Sequence, residues 1–164
     1  MKIDDIPNGS LVYVDANIFI YHFGASDLHN PCTNLLNRIQ RGSLQAISST
    51  VTILEITHRL MILEAVEKYN LKPKLVLKKL KSKPALIKDM RKYSECIESI
   101  YQMRIDILPI YAGDILESAY IRKEFGLLTN DSIILASMKR YGVKLIATND
   151  RDFERIHNIK VYKP

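Results

Sequence analysis

No stretch of this sequence approaches the ~20 consecutive apolar residues that a membrane-crossing helix requires. The N-terminal MKIDDIPNGS has no basic segment leading into an apolar one. Neither a membrane span nor a secretory leader is therefore expected, and the cytoplasm is the expected location. Cysteine is scarce. Cys32 and Cys96 are the only two, far apart and outside any CxxC pair, which argues against a zinc cluster and leaves both as ordinary thiols. The four histidines, His22, His29, His58 and His157, show no HxxxH spacing, and no GxGxxG or GxxxxGKS/T loop is present to cradle a phosphate.

Acidic charge is nearly absent from one region. Residues 72–92 hold nine Lys or Arg and a single acid, Asp89, for a local net charge of +8. The whole chain carries +6, so the remainder carries −2. A basic patch this concentrated points to an anionic partner such as nucleic acid; the plainer alternative is a solvated lysine-rich helical face. What the chain does contain is ordinary: 164 residues, 47% hydrophobic and 26% charged, enough for one domain with a sizeable core.

Short apolar runs alternate with helical patterns. LVYVD (11–15) reads as a buried strand, LQAIS (44–48) as a second, IDILP (105–109) as a third, KLIAT (144–148) as a fourth and IKVY (159–162) as a fifth. A helix over 31–42 is expected to start at Pro31 with Asn30 as its cap and to end at Gly42. Thr50 to about Tyr69 reads as a long helix capped by Ser49. The basic stretch 71–104 predicts two helices beginning at Pro73 and Pro84, and two more helices end at Gly126 and Gly142. Strands alternating with helices argue for a parallel sheet covered on both faces. In such folds ligands bind beyond the carboxyl ends of the strands, where the strand order reverses.

Four acids fall at that edge. Asp15 closes the first strand and Asp150 follows the fourth. Asp131 stands in the first turn of a helix reached by the short connection FGLLTND, and Glu55 lies one turn into the helix that follows the second strand. Each has a bland alternative. Asp131, like Asp114, suits a helix N-terminus; Asp150 and Asp152 suit a turn; Glu55 has Arg59 as an i,i+4 partner. Asp15 is harder to dismiss, because apolar residues flank it on both sides and a lone buried carboxylate is costly. Gathered together, four carboxylates repel one another unless a cation neutralises them. Hard oxygen donors select Mg²⁺ or Mn²⁺, the metals of phosphoryl chemistry.

The pieces VYVDANIFIYHF, ISSTVTILEITHRL, LLTNDSIILASMKRYG and LIATNDRDF, in this order, resemble the PIN-domain ribonucleases, especially toxin components of the VapBC type. The resemblance covers roughly residues 10–162. It implies a three-layer α/β/α sandwich around a parallel sheet of four to five strands, in one domain over 1–164 with a basic helical insert at about 66–104. It implies Mg²⁺- or Mn²⁺-dependent endonucleolytic cleavage of RNA, an antitoxin as a further partner, and a homodimer. Carried over by motif, Asp15, Glu55, Asp131 and Asp150 form the acidic quartet. Asp15, Asp131 and Asp150 would be the main metal ligands, and Glu55 would bind a second metal or orient the attacking water. Asn17 matches the polar position after the first acid, Thr148 would brace Asp15, and Asp152 would sit on the rim. The ten residues before the first strand and the long insert depart from the compact toxin pattern. The insert is expected to meet RNA phosphates, an antitoxin or a second copy of the chain.

Other readings come from different classes. An RNA-processing nuclease outside a toxin–antitoxin pair would use the same acids. A silent RNA-binding or interaction module would keep the fold without the chemistry. A haloacid-dehalogenase-type phosphatase would also place an aspartate after the first strand, but would follow it two residues later with an acid, where this chain has Asn17.

Overall fold

The computed structural model describes residues 1–164. Five parallel strands form one sheet: β1 (Leu11–Val14), β2 (Gln45–Ser49), β3 (Ile105–Leu108), β4 (Leu145–Ala147) and β5 (Lys160–Tyr162), in spatial order β3-β2-β1-β4-β5. The chain winds outward from β1 through β2 to β3, then returns to the other side of β1 for β4 and β5. The strand order therefore reverses between β1 and β4, which places a crevice at their carboxyl ends.

Strand alternation decides which layer each side chain feeds. Val12 and Val14 point to one face, where they pack with Ile18 and Phe19 of α1 (Ala16–Phe23), Leu35 and Ile39 of α2 (His29–Gln40) and Ile56 and Leu60 of α3 (Thr50–Tyr69). Tyr13 points to the other, where Ile47, Ile146 and Phe153 join Ile134 and Met138 of α8 (Thr129–Arg140). α7 (Ala112–Phe125) covers α8 from outside through Ile121 and Leu135. The result is the three-layer α/β/α sandwich. Beyond the sheet, the distal half of α3 carries α4 (Val76–Ser82) and α5 (Pro84–Asp89) on Ala65, Val76, Leu80 and Met90, and α6 (Lys92–Tyr101) returns to the core at Ile100. No helix is long and apolar enough to cross a membrane.

The structure corrects two local readings and adds one helix. α1 is a helix that its own sequence conceals: ANIFIYHF is dense in β-branched and aromatic residues, which favour strands. Tertiary packing of Ile18 and Phe19 overrides that preference, and Asp15 caps the helix. α2 begins two residues before Pro31, with Leu28 rather than Asn30 at the cap; proline is tolerated in the first turn because the N–H it lacks has no helical acceptor there. The basic stretch holds three helices, not two, since the chain breaks at Met90–Arg91 and restarts at Lys92; Pro73 opens only a 3₁₀ turn, Pro73–Leu75. Gly42, expected past the end of α2, has φ +77°, a conformation an L side chain would strain.

Candidate active site

Asp15 leaves β1 and becomes the N-cap of α1, its Oδ1 accepting the Ala16 N–H at 2.7 Å. It is buried, with 6% of its surface exposed. Its Oδ2 accepts the Thr148 hydroxyl at 2.6 Å and Asn17 Nδ2 at 2.7 Å. Burial pushes the carboxyl up to about 6, against the pull of Thr148 and the Ala16 N–H, and the charges of Glu55 and Asp150 push the same way.

Thr148, at the end of β4, is fully buried and organises both strand ends. Its oxygen donates to Asp15 and accepts from Asn17 Nδ2 and from the Asp150 N–H, both at 3.0 Å. Asn17 completes the lattice by accepting the Asn149 N–H at 3.0 Å. Each polar group in this crevice thus fixes the next, and Asp150 is held where the 3₁₀ turn Arg151–Arg155 begins, its Oδ1 accepting the Asp152 N–H at 2.8 Å.

Asp131 enters from the first turn of α8 and Glu55 from the second turn of α3. Both line the same open cavity as Asp15, Asn17 and Asp150. Carboxylate oxygens of Asp131, Asp150 and Asp152 lie within 4.8 Å of one another. Asp131 carries the consequence. Burial first, then the charges of Asp150, Asp15, Glu55 and Asp152, raise its carboxyl to about 7. Every one of these influences opposes ionisation. A hard cation is the chemical remedy for such crowding, so the donor set fits Mg²⁺ or Mn²⁺.

The acids are not equivalent. Glu55 Oε1 is paired with Arg59 at 3.0 Å, and Asp152 with Arg155. Asp15, Asp131 and Asp150 have no cationic partner. The tight group nevertheless includes Asp152 and leaves out Asp15, both of whose oxygens are already engaged. The i,i+4 arginine gives Glu55 the ordinary surface pairing its spacing suggested, while its carboxylate still borders the cavity, and Asp152 has its arginine at i,i+3. Arg59 and Arg151 line its mouth.

Two further polar residues belong to the site. Tyr21 lines the cavity, and its hydroxyl accepts Asn149 Nδ2 at 3.0 Å. Tyr21 stands one helical turn after Asn17, so the pair shares a face of α1. That i,i+4 spacing was the available signal, and it is readable only once the segment is recognised as helix.

Comparison with known proteins gives the same frame. Ribonuclease VapC6 of Methanocaldococcus jannaschii is 24% identical, with the alignment covering 94% of this chain and 97% of that one. The solved structure of Mycobacterium tuberculosis VapC20, described as a sarcin–ricin-loop-cleaving toxin, superposes with a TM-score of 0.62 at 12% identity, over 92% of this chain and 98% of that one. VapBC2 from Rickettsia felis, solved bound to a DNA fragment from its promoter, gives 0.58 at 16% identity, over 93% and 98%. The model of the PIN domain matches residues 12–159, a span that starts in β1, ends just before β5 and includes every acid of the cavity: the chain belongs to the PIN-domain family.

Proposed function

We propose that this chain is a Mg²⁺- or Mn²⁺-dependent endoribonuclease of the toxin type, cutting RNA phosphodiester bonds at the Asp15–Glu55–Asp131–Asp150 cavity. The observation that carries this reading is the convergence of carboxylates from four separate segments on one crevice, three of them, Asp15, Asp131 and Asp150, without a cationic partner. The ribonuclease name of the archaeal relative and the RNA-cleaving description of the mycobacterial structure support it. The solved VapBC assemblies support an antitoxin as partner, and a homodimer is the expected assembly.

Asp131 and Asp150 would hold the metal, with Asp152 beside them and Asp15 supplying its remaining lone pair. When bound, the metal lowers the pKa of a water and offsets charge on the phosphate under attack. Glu55, tethered by Arg59 and by Asn130 Nδ2 at 3.5 Å, is placed to orient the attacking water. Thr148, by donating to Asp15, favours its ionised form against burial, and Thr148 and Asn17 together aim it. Arg151 and Arg59, at the mouth, suit the incoming phosphates.

Chelation by EDTA should stop cleavage of RNA by the purified protein, and Mn²⁺ should restore it; cleavage that continues unchanged in EDTA would overturn the metal assignment. Thr148→Val should lower kcat/KM by about 10- to 100-fold, the usual cost of losing a group that orients a metal ligand. Thr148→Ser, which keeps the hydroxyl, should restore most of it. Equal activity in the Val and Ser variants would remove the hydroxyl from the mechanism.

A phosphatase using Asp15 as nucleophile is disfavoured. Asn17, where its acid–base group would stand, is spent on three hydrogen bonds to Asp15, Thr148 and Asn149.

A further inference from the structure

The acidic cavity leaves the positive charge of the chain unexplained. That charge sits on α4, α5 and the turns flanking them, and the acids of α5 and of the part of α3 beneath it are consumed internally. Glu64 accepts the Arg91 and Tyr93 N–H groups, both at 2.8 Å. Glu67 pairs with Lys92 at 2.8 Å, and Asp89 pairs with Lys68 at 3.0 Å. Lys72, Lys74, Lys78, Lys81, Lys83, Lys88 and Arg91 remain exposed and without an acidic partner.

These cations are mounted on a firm base. Val76, Leu80 and Met90 are buried against Ala65 of α3, and the Tyr69 hydroxyl donates to the Leu86 carbonyl at 2.9 Å. Lys78 and Lys81 stand at i and i+3 on α4, so they share one outward side, and Lys74 is exposed in the 3₁₀ turn that leads into it. α3 itself runs unbroken from Glu55 at the cavity to Lys68 beside α5. Thirteen residues at 1.5 Å each put the patch about 20 Å from the acids.

We propose that α4 and α5 form a phosphate-holding platform that grips the RNA about six stacked nucleotides from the bond to be cut, so that this chain favours substrates extending at least that far. The count follows from about 20 Å at ~3.4 Å per phosphate along a stacked strand. The proposal rests on the nuclease reading above. A nucleic acid fits better than a protein here, because lysine is depleted from protein interfaces, whereas rows of lysine are the usual electrostatic footprint for phosphates. The contacts read charge and not base identity, so the platform sets reach and affinity, leaving the choice of bond to the cavity.

The test compares the triple variant Lys74→Gln, Lys78→Gln, Lys81→Gln with a control that removes equal charge elsewhere, Lys123→Gln, Lys144→Gln, Lys160→Gln. Each is assayed on an RNA of about 20 nucleotides and on a tetranucleotide too short to reach the platform. On the long RNA the platform variant should show KM raised about tenfold with kcat unchanged, the loss expected for three exposed charge contacts. The tetranucleotide should be cut equally by wild type and platform variant, and the control should match wild type on both. Binding of the long RNA in EDTA, followed by fluorescence anisotropy against salt, should lose about 2 from its log–log slope in the platform variant, at ~0.7 per phosphate released. An unchanged KM and slope would overturn the proposal, as would an equal loss in the control. If wild type cuts no RNA, the nuclease reading fails, and the anisotropy series still decides whether the platform holds RNA.

Discussion

Asp131→Asn is expected to abolish RNA cleavage, lowering kcat/KM by at least about 10³-fold, while making the metal-free protein more stable at neutral pH. The two effects share one cause. Asp131 sits half-buried among four other carboxylates and has no cation or donor to answer it, which is why its carboxyl is held up at about 7. A carboxyl raised above its unfolded value near 3.8 contributes stability that is fully present below that value and is lost as pH rises through about 7. Metal-free wild type should therefore weaken between pH 4 and pH 8. Asparagine carries no charge and escapes that loss. Because the side chain is partly exposed, water screens the repulsion, and the gain at pH 8 should be ~1–2 kcal/mol.

Thermal unfolding in EDTA at pH 4 and pH 8 measures this directly. The variant and wild type should lie closest at pH 4 and separate at pH 8, with the variant higher. Adding Mn²⁺ should raise wild type by about 2.7 kcal/mol at a hundredfold excess over Kd and leave the variant nearly unmoved. A variant that is both inactive and unstable at pH 8 would assign Asp131 to the fold and not to the metal. Asp15 offers a less clean experiment. Its Oδ2 receives two donors and its Oδ1 caps α1, so the amide of Asp15→Asn would face Thr148 and Asn17 and disturb the fold together with the chemistry.

Much of this cavity was readable without coordinates, because two simple regularities place it. Alternating strands and helices imply a parallel sheet, and parallel strands deliver whatever follows them to one edge. That logic brings Asp15 and Asp150 together across 135 positions of sequence, and the short connections bring Asp131 and Glu55 to the same place. What it could not reach depends on local geometry with no period. The 3₁₀ turn after Asp150 folds Asp152 back into the tight carboxylate group, whereas a turn residue counted along a strand would be assigned to the rim. Tyr21 stayed hidden, and with it the partner of Asn149, because α1 looks like a strand by composition. The long-range packing of Ile18 and Phe19 decides that segment, and no local preference reports it. The break at Met90–Arg91 escaped notice for a related reason: its cause is a side chain on a different helix.

That side chain is Glu64, and Glu64→Ala should cost about 2 kcal/mol of stability, or roughly 4–8 °C in Tm. α6 has no capping side chain of its own at Arg91. Glu64, buried on α3, does the work from across the interface by accepting the Arg91 and Tyr93 N–H groups. Burial alone would raise this carboxyl, but the N–H groups of Tyr93, Arg91 and Lys92 outweigh it and hold it below its ordinary value near 4.5. A lowered carboxyl contributes stability that is present above the unfolded value and is lost as pH falls through the folded one. Wild type should therefore weaken on acidification from about pH 5 to pH 3 more steeply than Glu64→Gln, whose neutral amide keeps an acceptor for only one of the two N–H groups. Urea unfolding across that range separates the cases, and parallel curves for wild type and Glu64→Gln would show that the charge contributes nothing. The consequence extends to function. Glu64 is the buried polar tie between α3, which carries Glu55, and the segment that follows the lysine-rich helices. Loosening it should weaken binding of long RNA while leaving cleavage of a tetranucleotide intact, which joins the stability of α6 to the reach of the platform.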